Sequence, residues 1–292
     1  MSFTVSEIFE RKKVCVLIPT FNNAGTIATV VKNVLAYTNQ VIVVNDGSTD
    51  HTLALLEPFK EIKVVTYAVN QGKGYALRRG FEEAVASGYE YAITIDSDGQ
   101  HYADDLPRFL EKLEAHPSAI IIGARNMDQA TVPGKSSFGN KFSSFWFHVE
   151  TGIRRNDTQS GYRLYPVKAL QHLRFFTKKY EFEIEVIVRA AWSGIEVIEV
   201  PVKVFYPEKE KRVSHFRPFR DFSRISVLNT VLVTIAFLYI KPRDFFRRIK
   251  KKISVSFSGS LSSIRRSLIR SRRRLLPSVY SWGSYPSGVF SW

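Results

Sequence analysis

From Lys13 to Gly123, short runs rich in Val and Ile alternate with segments whose apolar positions recur every three or four residues. The runs cover 14–18, 41–45, 62–67, 91–95 and 119–123, and the segments between them predict helices near 25–37, 50–59, 74–87 and 104–115. Strands buried on both faces and joined by helices form a mostly parallel sheet with helices on either side. Ligands of such sheets bind at the carboxyl ends of the strands. Beyond Gly123 the spacing predicts helices over 136–150 and 181–193 and a strand over 195–204, with no internal repeat. Residues 225–240 form an apolar stretch interrupted only by Ser226, Asn229, Thr230 and Thr234. The expected architecture is a single α/β domain over 13–220. A short extension, 1–12, precedes it, an apolar helical segment with basic flanks covers 221–249, and a Ser/Arg-rich tail, 250–292, is expected to be disordered.

Composition adds one asymmetry. The net charge is +15, yet residues 241–292 hold 13 Lys and Arg against the single acid Asp244, while the first 240 residues hold 29 bases and 26 acids. The basic character therefore belongs to the tail. A lone cysteine, Cys15, excludes an intramolecular disulfide framework, and its apolar surroundings in Val14–Ile18 predict a buried structural thiol. Met1 to Arg11 lack the long apolar core of a secretory signal, so a cytoplasmic location is expected for the bulk of the protein.

The segments after four successive strands carry the candidate chemistry. They read Pro19-Thr20-Phe21-Asn22-Asn23, Asp46-Gly47-Ser48-Thr49-Asp50, Asn70-Gln71-Gly72-Lys73-Gly74 and Asp96-Ser97-Asp98-Gly99-Gln100-His101. Asp96 and Asp98, one residue apart at a strand end, point the same way and repel unless a cation relieves them. A hard divalent cation shared with a diphosphate does so. Asp46 is placed to accept hydrogen bonds from a ribose or base, and backbone groups of Thr20 and Phe21, stiffened by Pro19, to grip a base. Ser48 or Asp50 reads as a helix cap. Lys73 between two glycines offers N–H groups and a charge to an anion, although the spacing is not that of a Walker A loop.

Together these loops resemble family 2 glycosyltransferases of the GT-A fold, and more narrowly their dolichyl-phosphate mannose or glucose synthase branch. Gly123-Ala124-Arg125 and Asp157-Thr158-Gln159-Ser160-Gly161-Tyr162-Arg163 extend the resemblance over roughly 13–220. It implies that Pro19, Thr20, Phe21, Asn22, Asp46, Gly72, Lys73 and Asp96 bind the nucleotide-sugar, and that Asp98, Asp96 and Gln100 hold Mg²⁺ or Mn²⁺. His101 matches the branch, whereas Asn23 stands where many members have Glu. The implied donor is GDP-mannose or UDP-glucose, and the implied acceptor is a polyprenyl phosphate attacking with inversion.

A phosphate acceptor is already anionic at pH 7 and needs a cationic clamp rather than a base. Arg125, Lys135, Arg163 and Arg217 are the candidates, with Arg125 and Arg163 also in the catalytic set beside Asp96 and Asp98. A sugar hydroxyl acceptor would instead need a carboxylate base, for which Asp104, Asp105 and Asp157 are available. A non-catalytic nucleotide-sugar-binding or basic scaffold protein is a further alternative, disfavoured by the intact Asp96/Asp98 pair.

At about 1.5 Å per residue the stretch 225–240 spans about 24 Å, short of a roughly 30 Å hydrocarbon core. Both flanks are basic, against the positive-inside bias of a spanning helix. A peripheral or monotopic helix in the cytoplasmic leaflet, with its cations on anionic lipid, is expected. The Arg-rich segment 265–274 shows no nucleic-acid-binding fold, so no nucleic acid partner is expected. The oligomeric state is left open.

Overall fold

The computed structural model describes residues 3–126, 134–205, 217–247, 249 and 250. Along the chain come α1 (Val5–Arg11), β1 (Val14–Thr20), α2 (Ile27–Leu35), β2 (Val41–Asn45), β3 (Lys63–Thr66), α3 (Lys73–Ala86), β4 (Tyr91–Thr94) and α4 (Leu106–Ala115). There follow β5 (Ile120–Arg125), α5 (Gly134–Thr151), β6 (Arg163–Tyr165), α6 (Val167–Leu170), α7 (Phe182–Trp192), β7 (Val197–Val202) and α8 (Pro218–Ile235). The chain divides into two units, Met1–Phe237 and Leu238–Trp292, and every element named above lies in the first.

The seven strands form one sheet in the order β3-β2-β1-β4-β6-β5-β7. All pairs are parallel except the two made by β6, which runs antiparallel between β4 and β5. Alternation along each strand splits the core in two. Val14, Val16 and Ile18 of β1, Val41 and Val43 of β2 and Ile93 of β4 face one layer, with Phe9 of α1, Val31 of α2 and Phe109 of α4. Cys15, Leu17, Ile42, Val44 and Ala92 face the other, with Leu77 of α3, Phe147 of α5, Ile187 of α7 and Ile225 and Leu232 of α8. Both faces are covered, as the unbroken apolar runs require.

Four details differ from the sequence reading. Residues 5–11, outside the boundary at 13, form α1, closed by a capping box between Thr4 and Glu7. The helix expected over 50–59 is reduced to a single 3₁₀ turn, Ala54–Leu56. Asp50 does not cap a helix there; its carboxylate accepts from the N–H of Ala24 at 3.1 Å and of Thr52 at 2.9 Å, tying the segment to the loop after β1. The run 62–67 yields only the four-residue edge strand β3, half-exposed rather than buried. β6 lies within a segment read as loop, because three residues show no period.

One helix among the described residues, Phe219–Arg247, is long and apolar enough by length and composition to cross a membrane. Within its first unit, Ile225, Asn229, Leu232 and Ala236 recur at helical spacing and are buried, while Val227 and Val231 are exposed. Part of the apolar stretch therefore packs on the domain. The tail from 251 onward lies outside the described residues.

Candidate active site

The four loops singled out by sequence meet at one rim and are stitched together. Asn22, at φ 51° in the left-handed region that Asn tolerates, donates its N–H to Ser48 Oγ at 3.0 Å and accepts from the Thr49 N–H at 2.8 Å. Asn23, buried, donates its amide to Ser97 Oγ at 2.9 Å, between the two aspartates. Thr26 Oγ1 donates to the Ser97 carbonyl at 2.6 Å. Asn23 thus fixes the turn that carries Asp96 and Asp98, a structural part for the position that departs from the family pattern. Pro19 and Thr20 are buried at the end of β1, with Phe21 and Asn22 half-buried beyond it.

Asp46 sits at the tip of β2, almost wholly buried. Its oxygens accept from Asn70 Nδ2 at 2.9 Å, the Gln71 N–H at 2.7 Å and the Gly72 N–H at 2.8 Å. In this arrangement its carboxylate secures the loop that delivers Lys73.

Lys73, the first residue of α3, points at Asp96. Its Nζ lies 2.8 Å from Asp96 Oδ1 and 3.2 Å from Glu183 Oε1. Burial works against the Lys73 charge, but the two carboxylates outweigh it and hold the ammonium protonated. Burial likewise opposes ionisation of Asp96, and Lys73 overrides it, keeping that carboxyl below its usual range. Gly161 closes over the cluster: a Cβ there would come within 2.6 Å of Asp96 Oδ2 and 2.8 Å of Lys73 Nζ. A side chain there would force the Asp96 carboxylate or the Lys73 ammonium to shift.

Asp98 is treated differently. Burial, reinforced by the neighbouring Asp96, pushes its carboxyl up to about 6, and the Gln100 N–H that donates to Oδ1 at 3.0 Å relieves it only in part. No ion pair to Asp98 occurs among the described residues. With Lys73 paired to Asp96 and Glu183 and no base paired to Asp98, the Asp96/Asp98 pair keeps negative charge that an added cation would neutralise, so it fits a divalent ion whose remaining ligands come from a diphosphate. No group of three or more His, Cys, Asp or Glu side chains able to hold a metal occurs among the described residues. Gln100 is engaged through its backbone, its carbonyl accepting from the Phe205 N–H at 2.8 Å. His101 is held neutral, pushed down to about 4 by burial, and its ring packs 5.1 Å from that of Tyr162.

At the tip of β5, Arg125 forms a two-point pair with Asp157: Nε to Oδ2 at 2.6 Å and Nη2 to Oδ1 at 3.0 Å. Asp157 is fully buried and also accepts from the N–H groups of Gln159 and Ser160, both at 3.1 Å. Burial opposes its charge, and Arg125 more than offsets that. The guanidinium is therefore aimed rather than loose.

Arg163 corrects an expectation. It is fully buried, and its guanidinium donates to the carbonyls of Ser160 at 2.6 Å, Glu183 at 2.6 Å and Thr158 at 2.8 Å, and to the Tyr165 hydroxyl at 3.2 Å. Its donors are committed to the 158–165 segment and the start of α7, so it braces the site and does not reach an acceptor. Arg217 is exposed at the N-cap of α8. The side chain of Lys135 lies outside the described residues. Asp104 is exposed and accepts from the Tyr37 hydroxyl at 3.3 Å, and buried Asp105 accepts from the Lys203 N–H at 2.7 Å, so both serve as struts.

Glu183 was not singled out by sequence. The available signal was two acids, Glu183 and Glu185, inside the segment Phe182–Val188, whose other residues are all apolar; both are buried, and a buried acid needs a partner. Glu185 finds one in Arg189, 2.7 Å away. Glu183 finds Lys73.

A mostly parallel sheet with both faces covered, and an Asp-x-Asp turn at its carboxyl edge, define an α/β transferase of the GT-A type. The chain belongs to glycosyl transferase family 2, whose family model matches residues 15–173. A polyprenol monophosphomannose synthase of Mycolicibacterium smegmatis is 30% identical over 217 residues, 70% of this chain and 80% of that one. A UDP-N-acetylglucosamine–dolichyl-phosphate N-acetylglucosaminyltransferase of Methanococcus voltae is 27% identical over 219 residues, 68% of this chain and 87% of that one. Glucosyl-3-phosphoglycerate synthase from Mycobacterium tuberculosis, solved with Mn²⁺, UDP and glucosyl-3-phosphoglycerate, aligns at a TM-score of 0.58 and 18% identity over 81% of this chain and 85% of that one. That likeness shows the fold.

Proposed function

We propose that this protein is a membrane-associated, metal-dependent, inverting hexosyltransferase that moves mannose or glucose from a nucleotide-diphosphate sugar to polyprenyl phosphate at the cytoplasmic face. The observation that carries the acceptor class is the state of the carboxylates around Asp98. Asp46 is bound by three N–H or amide donors, Asp96 and Glu183 by Lys73, Asp157 by Arg125, and Asp105 by a backbone N–H. Of the three base candidates for a hydroxyl acceptor, Asp105 and Asp157 are thus engaged and buried and Asp104 is exposed and accepts from the Tyr37 hydroxyl, whereas a phosphate monoester arrives without the proton that a base would remove. The names of the two curated relatives, one acting on dolichyl phosphate and one making polyprenol monophosphomannose, support the same acceptor.

Pro19, Thr20, Phe21 and Asn22, with Asp46, form the nucleotide end. Lys73 keeps Asp96 ionised toward the sugar-diphosphate, and Asp98, with Asp96 and Gln100, would hold Mg²⁺ or Mn²⁺. Such an ion supplies Lewis-acid stabilisation of the charge that grows on the departing nucleoside diphosphate. Arg125, fixed by Asp157, meets the acceptor phosphate and restrains its oxygen for attack at the anomeric carbon.

Replacing Asp98 with Ala tests the metal assignment. The expected result is loss of turnover with an unchanged circular dichroism spectrum and melting temperature; retained turnover would remove Asp98 from the reaction.

A further inference from the structure

Three acids, Asp96, Asp98 and Glu183, gather with one ammonium, Lys73, just past the end of β4. Lys73 Nζ lies 2.8 Å from Asp96 Oδ1, 3.1 Å from Asp96 Oδ2 and 3.2 Å from Glu183 Oε1, so both oxygens of Asp96 face the same cation. The side chains of Lys73, Asp96 and Glu183 are only 18%, 24% and 11% exposed. Water and salt screen such a cluster far less than a surface pair.

Lys73 is seated from both sides. Before it, the N–H groups of Gln71 and Gly72 donate to Asp46 at 2.7 Å and 2.8 Å. After it, the Tyr75 N–H donates to the Lys178 carbonyl at 2.8 Å and to the Gly72 carbonyl at 2.9 Å. The first turn of α3 is thereby tied to the tip of β2 and to residue 178, and fixed backbone delivers the ammonium to Asp96.

An ammonium and a divalent ion compete for the same oxygens. Both are compact cations, and a carboxylate that already faces one meets the other only against their mutual repulsion. Asp98 by itself offers a single carboxylate, a poor site for an ion that takes about six oxygen ligands. A diphosphate changes the balance, because its oxygens add ligands for the ion and negative charge for Lys73. Both cations can then stay.

We propose that Lys73 is the resident cation of the Asp96–Asp98 turn, holding the place of a divalent ion in the donor-free protein and withholding Asp96 from that ion until a nucleoside diphosphate arrives. The inference rests on the metal assignment given above and deepens it. Ion and donor strengthen each other's binding, by the same factor in either direction. Lys73 acts through Asp96 and is a positioning residue.

The test is binding of Mn²⁺ alone to the full-length protein, read from the electron paramagnetic resonance signal of the free ion, for the wild type, Lys73→Met and Lys73→Arg. Without nucleotide, Lys73→Met is expected to hold Mn²⁺ about tenfold more tightly than the wild type, because one positive charge has left the seat. Lys73→Arg keeps the charge and is expected to bind as weakly as the wild type. Thermal unfolding gives a second reading, since Lys73→Met leaves Asp96 and Glu183 without their cation and should melt lower. Mn²⁺ alone is expected to raise the melting temperature of Lys73→Met by several degrees, or to permit folding of a variant that fails without it, and to leave that of the wild type nearly unmoved. Equal Mn²⁺ affinity for the wild type and Lys73→Met, or the same gain in Lys73→Arg, would overturn the inference. Mn²⁺ together with UDP or GDP keeps this test apart from that of the metal assignment: retention of the ion by the wild type and its loss in Asp98→Ala uphold the assignment whatever Lys73 does, whereas no retention would remove both.

Discussion

Lys73 Nζ lies 2.8 Å from Asp96 Oδ1, joining the start of α3 to the end of β4 at the point where the two candidate metal-binding carboxylates begin. With Glu183 on its other side at 3.2 Å, the ammonium separates two carboxylates that would otherwise face each other. The pair gives Asp96 and Asp98 different chemical states: Asp96 is held ionised, while Asp98, without such a partner, is pushed up to about 6 by burial and by Asp96.

Lys73→Met should therefore lower kcat/KM by about 100-fold, of the order expected for breaking a partly buried charge pair. Glu183→Gln, which keeps the shape and one hydrogen bond, should cost about tenfold. Steady-state kinetics at saturating metal decide it; a Lys73→Met enzyme within twofold of the wild type would contradict the role given to Lys73.

Gly161→Ala should reduce activity by at least about tenfold through contact alone. Gly161 is not among the glycines with positive φ, so alanine suits its backbone. The added methyl would instead meet Asp96 Oδ2 at 2.6 Å and Lys73 Nζ at 2.8 Å. A fully active Gly161→Ala enzyme would show that the cluster yields without consequence.

Arg125 and Arg163 should separate cleanly. Arg163→Lys loses donors to buried carbonyls and should lower stability by about 2–4 kcal/mol, read as a drop in melting temperature, without raising the acceptor KM of the folded enzyme. Arg125→Lys should raise the acceptor KM with a smaller loss of stability. The reverse pattern would restore Arg163 as a phosphate contact.

Glu150 sets a pH dependence. Both its carboxylate oxygens are buried without a hydrogen-bond partner among the described residues, and burial pushes the carboxyl up to about 8. A raised acid pKa means that the folded state favours the protonated form, so this contribution is complete below about 4.5 and is lost as pH rises toward about 8. Glu150→Gln should leave the melting temperature little changed near pH 4.5 and raise it by several degrees near pH 8.5. Parallel profiles for both proteins would mean that Glu150 is solvated or paired in solution.

Much of the fold was legible because β1, β2, β4 and β5 are continuous apolar runs, buried on both faces, and α3, α4 and α7 keep their helical period. The helix expected after β2 was not, because Asp50 spends its carboxylate on Ala24 across the loop rather than on a helix of its own. β6 was hidden by its length. At the site, the four loops announced themselves through Asp, Asn and Gly at strand ends. What the sequence could not tell was which charges are spent on one another: Arg125 and Arg163 look alike in their motifs, and only the carbonyls packed around Arg163 set it apart from Arg125, which pairs with Asp157. Glu183 became visible only when α7 brought it to Lys73.

The most direct test of the proposed reaction is transfer of label from GDP-mannose or UDP-glucose to polyprenyl phosphate in detergent, with and without Mg²⁺ or Mn²⁺. Metal-dependent label in the lipid phase with one of the donors is the expected result. Label that stays in the aqueous phase with both donors, in every metal, would contradict the reading of this protein as a polyprenyl-phosphate hexosyltransferase.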